Sequence, residues 1–290
     1  MKKTLTSHDF MTRLGFPEEA IAFLLDAEER LYSSDEAAPI FAAAEKALFC
    51  EGEGNFWEIL EPVPEICGTR KEVVDMVFLI RELPTMLEGY RAKNYSEEIF
   101  WDSAKDLTYK LKECYDNRGV WGTFVGFWYP RFYRLERFAL GRLQYERVPF
   151  PYDNVKGIAK GETAYNCHIP SSGSLPPEAV DDSLRRAKEF FGDEVKGALP
   201  VVCRSWMLYP PVVELFPKGS NLRSFAERFA VIEPIPDNNN HDFWRIFNFQ
   251  WSEELCVAEL PEDTSLRRAF KKYLMEGNTM GVANCLLWVD

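Results

Sequence analysis

Long apolar runs are missing from this 290-residue chain, and no stretch approaches the roughly 18 consecutive apolar residues that a membrane span requires. The opening Met1-Lys2-Lys3-Thr4-Leu5-Thr6-Ser7-His8-Asp9 reaches polar and acidic residues before an apolar core could form, so no secretory leader is expected and the expected compartment is the cytoplasm. Cysteine pairs are missing too. Seven cysteines stand at wide spacings with no Cys-x-x-Cys, which excludes a disulfide framework and a zinc knuckle, and no metal site is expected. Basic residues are outnumbered 34 to 46 by acidic ones, and a net charge of -12 repels nucleic acid and anionic membrane, so neither is an expected partner. Histidine is scarce, with three copies; His8 and His241, in a capping region and a turn, read as surface residues, which leaves His168 as the candidate for chemistry near neutral pH.

What the chain does have is apolar periodicity and aromatic weight, with 22 Phe, 12 Tyr and 8 Trp. That weight implies a well-packed core, with an aromatic-walled cleft as the further option. Up to residue 118 the spacing is helical. Pro17 opens one helix carrying Ile21, Leu24, Leu25 and Leu31, residues 38–50 form a second, Thr69 with Glu72 reads as a capping box for a third that Pro84 ends, and Ser96 caps a fourth that runs to the turn at Gly119. No residue in this part reads as catalytic. Between Gly119 and Pro130 glycines and five aromatics replace the charged helical pattern, and the domain boundary is placed there: a helical domain over residues 1–125 and an α/β domain over 126–290.

Beyond the boundary the period falls to two. Phe138 and Leu140 alternate, then Leu143 and Tyr145 take the apolar role, a phase slip at Gly141 that reads as a β-bulge. Residues 163–169 form the next strand, which puts Asn166 and His168 on one side and Cys167 on the other; the Pro170-Ser171-Ser172-Gly173-Ser174 turn stops it. Pro177 starts a helix that Gly192 ends, and residues 201–208 form an apolar strand. Ser220 caps a short helix, residues 230–235 and 243–249 are read as a hairpin, Thr264 caps a helix to Glu276, and residues 282–289 close the sheet. Strands mixed with helices indicate a mixed-sheet α/β architecture behind an all-helical part.

Five segments, taken in order, carry a resemblance: Gly141-Arg142-Leu143-Gln144-Tyr145-Glu146; Cys167-His168-Ile169-Pro170-Ser171-Ser172-Gly173; Ala187-Lys188-Glu189-Phe190-Phe191; Cys203-Arg204-Ser205-Trp206; and Ser220-Asn221-Leu222. Together they resemble a bacterial group of acyltransferase-domain proteins, in which an N-acyltransferase N-terminal domain precedes a GNAT-like C-terminal domain, over nearly the whole chain. The resemblance implies acetyl-CoA or another acyl-CoA as co-substrate and a small-molecule amine as acceptor, with the coenzyme seated where neighbouring strands splay and its pyrophosphate on amides at the start of the following helix. The counterpart chosen for that helix begins at Thr264, with Ser265, Arg267 and Arg268 as the anion-holding groups. Its preceding Leu260-Pro261-Glu262-Asp263 departs from the family's glycine-bearing loop in having no glycine and two carboxylates.

His168, at a strand end, is a general-base candidate for an ammonium proton, with a structural histidine as the plain alternative. Glu146 is the second candidate base. Arg142 and Gln144 share its strand face and, with Asn166 and Trp206, are candidates for holding substrate; the plain alternative for the strand residues is a solvated, salt-bridged face. Ser205 is a candidate donor to a thioester carbonyl. Cys203 with His168 would make a nucleophile pair, although neighbours Cys167 and His168 point to opposite faces. Two functions follow: an N-acyltransferase using acyl-CoA, or a GNAT-like binding or interaction protein that has kept the fold without the cofactor. The oligomeric state leaves no trace in the sequence.

Overall fold

The computed structural model describes residues 5–195, 197–252 and 254–290. The first four residues, where the leader reading begins, lie outside the described residues. The chain divides into two compact units, residues 1–139 and 140–290, so the division falls 14 residues later than the 125/126 boundary read from composition. The aromatic segment after Gly119 belongs to the helical unit for identifiable reasons. The Thr123 amide donates to the Glu72 carbonyl at 2.9 Å, Phe127 stands edge-on to Trp57 at 6.5 Å, and Gly122 approaches helix Lys71–Arg81 so closely that an added Cβ would lie 2.5 Å from the Glu72 carbonyl oxygen.

In the helical unit the longest elements are Glu18–Tyr32, Ala38–Phe49, Lys71–Arg81 and Asp106–Arg118. Nine consecutive residues of Lys71–Arg81, Glu72 to Ile80, are buried, which makes this helix the centre of its unit. Arg70, not Thr69, is its N-cap, and no side-chain cap bond forms, so the expected capping box is absent. The helix expected to run unbroken to residue 118 is two, Glu97–Ala104 and Asp106–Arg118, separated at Lys105; Ser96 caps the first and Gly119 closes the second in the left-handed conformation. Among the described residues no helix is long and apolar enough to cross a membrane.

The sheet has six strands in the order β1-β2-β3-β4-β6-β5, with β1 Arg137–Leu140, β2 Leu143–Pro149, β3 Thr163–His168, β4 Leu199–Ser205, β5 Ala230–Pro236 and β6 Gly281–Val289. Gly141, with φ of +76°, makes the tight β1–β2 turn; the phase slip read as a bulge is a change of strand. Residues 243–249 are not a strand. Phe243, Ile246 and Phe247 are buried, and Trp244–Phe247 is one helical turn, so β5 pairs instead with β6.

Of the pairings β2–β3, β3–β4, β4–β6 and β5–β6, only β3–β4 is parallel. Its crossover is helix Pro177–Phe191, whose Val180, Leu184, Ala187 and Phe191 are buried on the sheet. The odd-numbered face receives this helix. Tyr165 meets Phe191 with ring centroids 4.4 Å apart, and the Ser183 hydroxyl, which donates to the Leu140 carbonyl, accepts from the Leu143 amide at 3.1 Å and lies 3.2 Å from the Tyr145 hydroxyl. Burial of one such aromatic contributes roughly 2 kcal/mol. The even-numbered face carries Gln144, Glu146, Asn166 and His168.

Candidate functional site

β2 and β3 register Gln144 against His168 and Glu146 against Asn166, and this antiparallel pairing brings the four polar side chains to one face. The His168 Nε2 lies 2.9 Å from Glu146 Oε1, and the Asn166 amide donates to the same oxygen at 3.2 Å. The Glu146 side chain is 6% exposed and that of His168 is 20% exposed, so the imidazole is the member of the pair that a small molecule can reach.

His168 is the last residue of β3, at the carboxyl end of the parallel pair. β3 and β4 are registered only at Tyr165–Val201 and Asn166–Val202, whereas β4 and β6 pair over seven residues. The registered parallel pairing ends at Asn166 and Val202, the thiols of the next residues, Cys167 and Cys203, still face one another, and His168 follows at the end of β3. In α/β sheets, the opening beyond the carboxyl ends of parallel strands is where ligands seat, with the crossover helix presenting its amino end.

The segment entering that helix is residues 169–176, and its turn includes Gly173 at φ +99°, a conformation that favours glycine. Arg142, on the β1–β2 turn, holds this segment. Its guanidinium donates to the carbonyls of Ser174 at 2.9 Å, Pro170 at 3.1 Å and Gly173 at 2.7 Å. Arg142 thus contacts backbone, where the sequence had placed it as a substrate ligand.

The other expected residues are not brought to this face. Ser205 belongs to the opposite, odd-numbered face of β4 and its hydroxyl accepts from the Met207 amide at 3.2 Å, starting the short 3-10 turn Trp206–Leu208. Trp206 is buried, with Phe216 and Phe270 edge-on at 6.3 and 5.8 Å, so it packs a core where a ligand wall was expected. Cys203 stands against Cys167 on the odd-numbered face, where the hydrogen bond with that thiol and burial push its ionisation well up, while His168 belongs to the even-numbered face, so the two do not form a nucleophile pair.

The helix Ser265–Met275 lies between β5 and β6, which are antiparallel neighbours, so it is not the crossover helix of a parallel pair. Its basic groups are already engaged. Arg267 donates to Asp263 at 2.9 Å and to the Ile246 carbonyl at 2.8 Å, Arg268 donates to the Glu262 carbonyl at 2.6 Å, and the Thr264 hydroxyl caps the Arg267 amide. The groups expected to seat the pyrophosphate, Thr264, Ser265, Arg267 and Arg268, thus stand at a helix between antiparallel neighbours, with the Thr264 hydroxyl and both guanidiniums bonded to protein atoms. Residues 170–174, which the sequence shows only as a strand stop, lie between β3 and helix Pro177–Phe191, so strand, turn and helix follow in immediate succession there.

Among the described residues no group of three or more metal-ligating side chains forms a metal site. An open hollow of about 480 Å³ lies along helix Pro177–Phe191, lined by Asp181, Leu184, Arg185, Lys188, Arg228 and Trp288, among others, and contains none of the four polar residues of the β2–β3 face.

Comparisons with known proteins agree with this architecture. The GNAT-like C-terminal domain matches residues 137–287 and the N-acyltransferase N-terminal domain matches residues 6–135. The chain belongs to the GNAT-like acyltransferase family, built from those two domains. A search of curated proteins found no match. Among solved structures, an acyltransferase in complex with decanoyl-CoA and teicoplanin is similar with a TM-score of 0.78 at 20% identity, covering 98% of this chain and 88% of that one. The structure of an acyltransferase mutant with octanoyl-CoA gives 0.77, and that of an acyltransferase with CoA and 10C-teicoplanin gives 0.78, each at the same identity and coverage.

Proposed function

We propose that this chain is an N-acyltransferase that moves an acyl group from acyl-CoA to a small-molecule amine, with His168 as the general base and Glu146 as its orienting partner. The observation that carries the reading is the 2.9 Å Glu146–His168 contact at the carboxyl end of the only parallel strand pair among the four registered pairings. With Glu146 ionised, the Nε2 proton of a neutral His168 points to the carboxylate, so the basic lone pair is at Nδ1. His168 Nδ1 takes a proton from the substrate ammonium. The amine nitrogen then attacks the thioester carbonyl, the C–S bond breaks, and the CoA thiolate leaves with a proton. Asn166 holds the carboxylate in place.

Support for acyl-CoA comes from the family, from the acyl-CoA complexes of the similar structures, and from the parallel β3–β4 pair with residues 169–176 leading into its crossover helix. In this reading the pyrophosphate sits on amides of that segment. The acidic turn Leu260–Asp263, which had motivated a cofactor-free binding protein, belongs to a different helix and does not bear on the coenzyme. The seven free cysteines and the acidic surface fit a reducing compartment, and the cytoplasm is the proposed location.

Titration calorimetry with decanoyl-CoA and acetyl-CoA tests the reading. Micromolar binding of either is the expected result, and no heat with millimolar ligand would overturn it. Separately, His168→Ala should keep acyl-CoA binding while losing turnover, and unchanged turnover would remove the base assignment.

A further inference from the structure

Three carbonyls of one short turn, from Pro170, Gly173 and Ser174, converge on a single guanidinium that comes from another strand connection. A convergence of this kind fixes more than position. Among the described residues there are no cis peptide bonds, and in a trans peptide the N–H of the next residue points opposite to the carbonyl. With those carbonyls turned toward Arg142, the amides of Ser171, Ser174 and Leu175 are directed away from the positive charge, toward the other side of the turn. An arginine suits this task because its rigid fork of five donors satisfies several acceptors at once, which a lysine cannot do.

We infer that Arg142 is a positioning residue for the coenzyme's pyrophosphate: it makes no contact with the ligand, but holds the 170–175 turn with its amides already aligned to receive an anion. The inference rests on the acyl-CoA reading above and adds to it a residue outside the turn that sets its affinity. Two features support it. Gly173 lies at φ +99°, a region open to glycine and closed to most other residues, so the shape of the turn depends on that position. Arg142 itself occupies the two-residue β1–β2 turn next to Gly141, whose Cβ position lies 3.4 Å from the Ser183 backbone, so the guanidinium is borne on a connection packed against the same helix that the 170–175 turn enters. The preorganised turn and the crossover helix thus share one support.

The test uses the full chain and two ligands, decanoyl-CoA and decanoyl-pantetheine, which lacks the pyrophosphate and nucleotide. Titration of Arg142→Ala should raise the Kd for decanoyl-CoA about tenfold while that for decanoyl-pantetheine changes by less than about twofold. Arg142→Lys, which keeps the charge and loses the fork, should fall between wild type and R142A, by about threefold for decanoyl-CoA, and it carries the test alone if the alanine variant does not fold. Equal weakening for both ligands would overturn the proposal by showing general damage. Unchanged decanoyl-CoA affinity in both variants would overturn it while leaving the acyl-CoA reading intact, whereas failure of the wild type to bind decanoyl-CoA would remove both.

Discussion

Each unit of the chain buries carboxylate chemistry beside basic partners, Glu72 and Asp75 in the helical unit and Glu146 in the α/β unit, and the two clusters have different consequences. In the helical unit, Glu72 accepts from Arg118 at 2.7 Å and from Arg70 at 3.1 Å, and Asp75 pairs with Lys71 one turn along the same helix. Burial raises the Glu72 carboxyl, but the Arg118 and Arg70 guanidiniums outweigh it and hold the group at about 2. Burial dominates at Asp75 and, against the pull of Lys71, pushes it up to about 6. In the α/β unit, Glu146, Asn166 and His168 converge at the open end of a parallel strand pair. The shifted groups of the first cluster tie a helix to the chain that follows it. Perturbed ionisation marks structural ion networks as readily as reacting centres, and position in the topology separates the two.

The sharpest break of that comparison is His168→Ala, expected to lower kcat/KM by about 10²- to 10³-fold while leaving the melting temperature within a few degrees. Glu146→Gln should follow at somewhat smaller size and also change the pH–rate profile, because an amide no longer fixes the imidazole proton. Steady-state kinetics with a CoA thioester and an amine acceptor read both. If turnover survives in H168A and stability falls, the cluster is structural after all.

The next effect should be on folding alone. Gly122→Ala places a methyl 2.5 Å from the Glu72 carbonyl oxygen, a backbone atom that cannot swing aside, and is expected to cost about 3 kcal/mol in chemical denaturation. A loss under 0.5 kcal/mol would show that the 119–130 segment can move away from its helix.

The two clusters also differ in pH dependence. Asp75 is raised from 3.8 when unfolded to about 6 when folded, so the native state binds more protons between those values and stability falls as pH rises through the window. Relative to Asp75→Asn, the wild type should lose on the order of 2 kcal/mol between about pH 4 and pH 6. Parallel stability curves would contradict the burial account. Glu72 acts in the opposite direction: its lowered value contributes stability that is present above its unfolded value of 4.5 and is lost as pH falls toward about 2.

The smallest effect concerns the helix at Ser265. Thr264→Ala removes the hydroxyl that accepts from the Arg267 amide and should cost about 1 kcal/mol of stability, with acyl-CoA affinity changed by less than about twofold. A tenfold loss of affinity would place the pyrophosphate at the helix start Thr264–Arg268 that the resemblance first suggested.

Much of the fold was legible because apolar spacing and caps are local. Ser96, Ser220 and Thr264 cap the helices their positions announce, and Pro177 begins the crossover helix. The errors fell where nonlocal contacts decide. Residues 243–249 carry a strand-like alternation, yet Phe243, Ile246 and Phe247 are buried by a single helical turn. The 119–130 segment changes composition where a boundary would, but its amides and glycines are bound to helix Lys71–Arg81. At the site, alternation alone placed Glu146, Asn166 and His168 on consistent faces, because a strand has a fixed period of two. The sequence places an anion seat at Thr264–Arg268 and leaves the helix after the parallel pair unmarked, because strand direction is not written in composition. Arg142 shows the same limit: its partners are carbonyls, which every residue has, so no side-chain pattern could reveal them.

A structure of the full chain with decanoyl-CoA bound tests the central claim most directly. The account predicts pyrophosphate oxygens within hydrogen-bond reach of the Ser171, Ser174 and Leu175 amides and the thioester beside His168. Pyrophosphate density at Thr264–Arg268, or a thioester remote from His168, would contradict it.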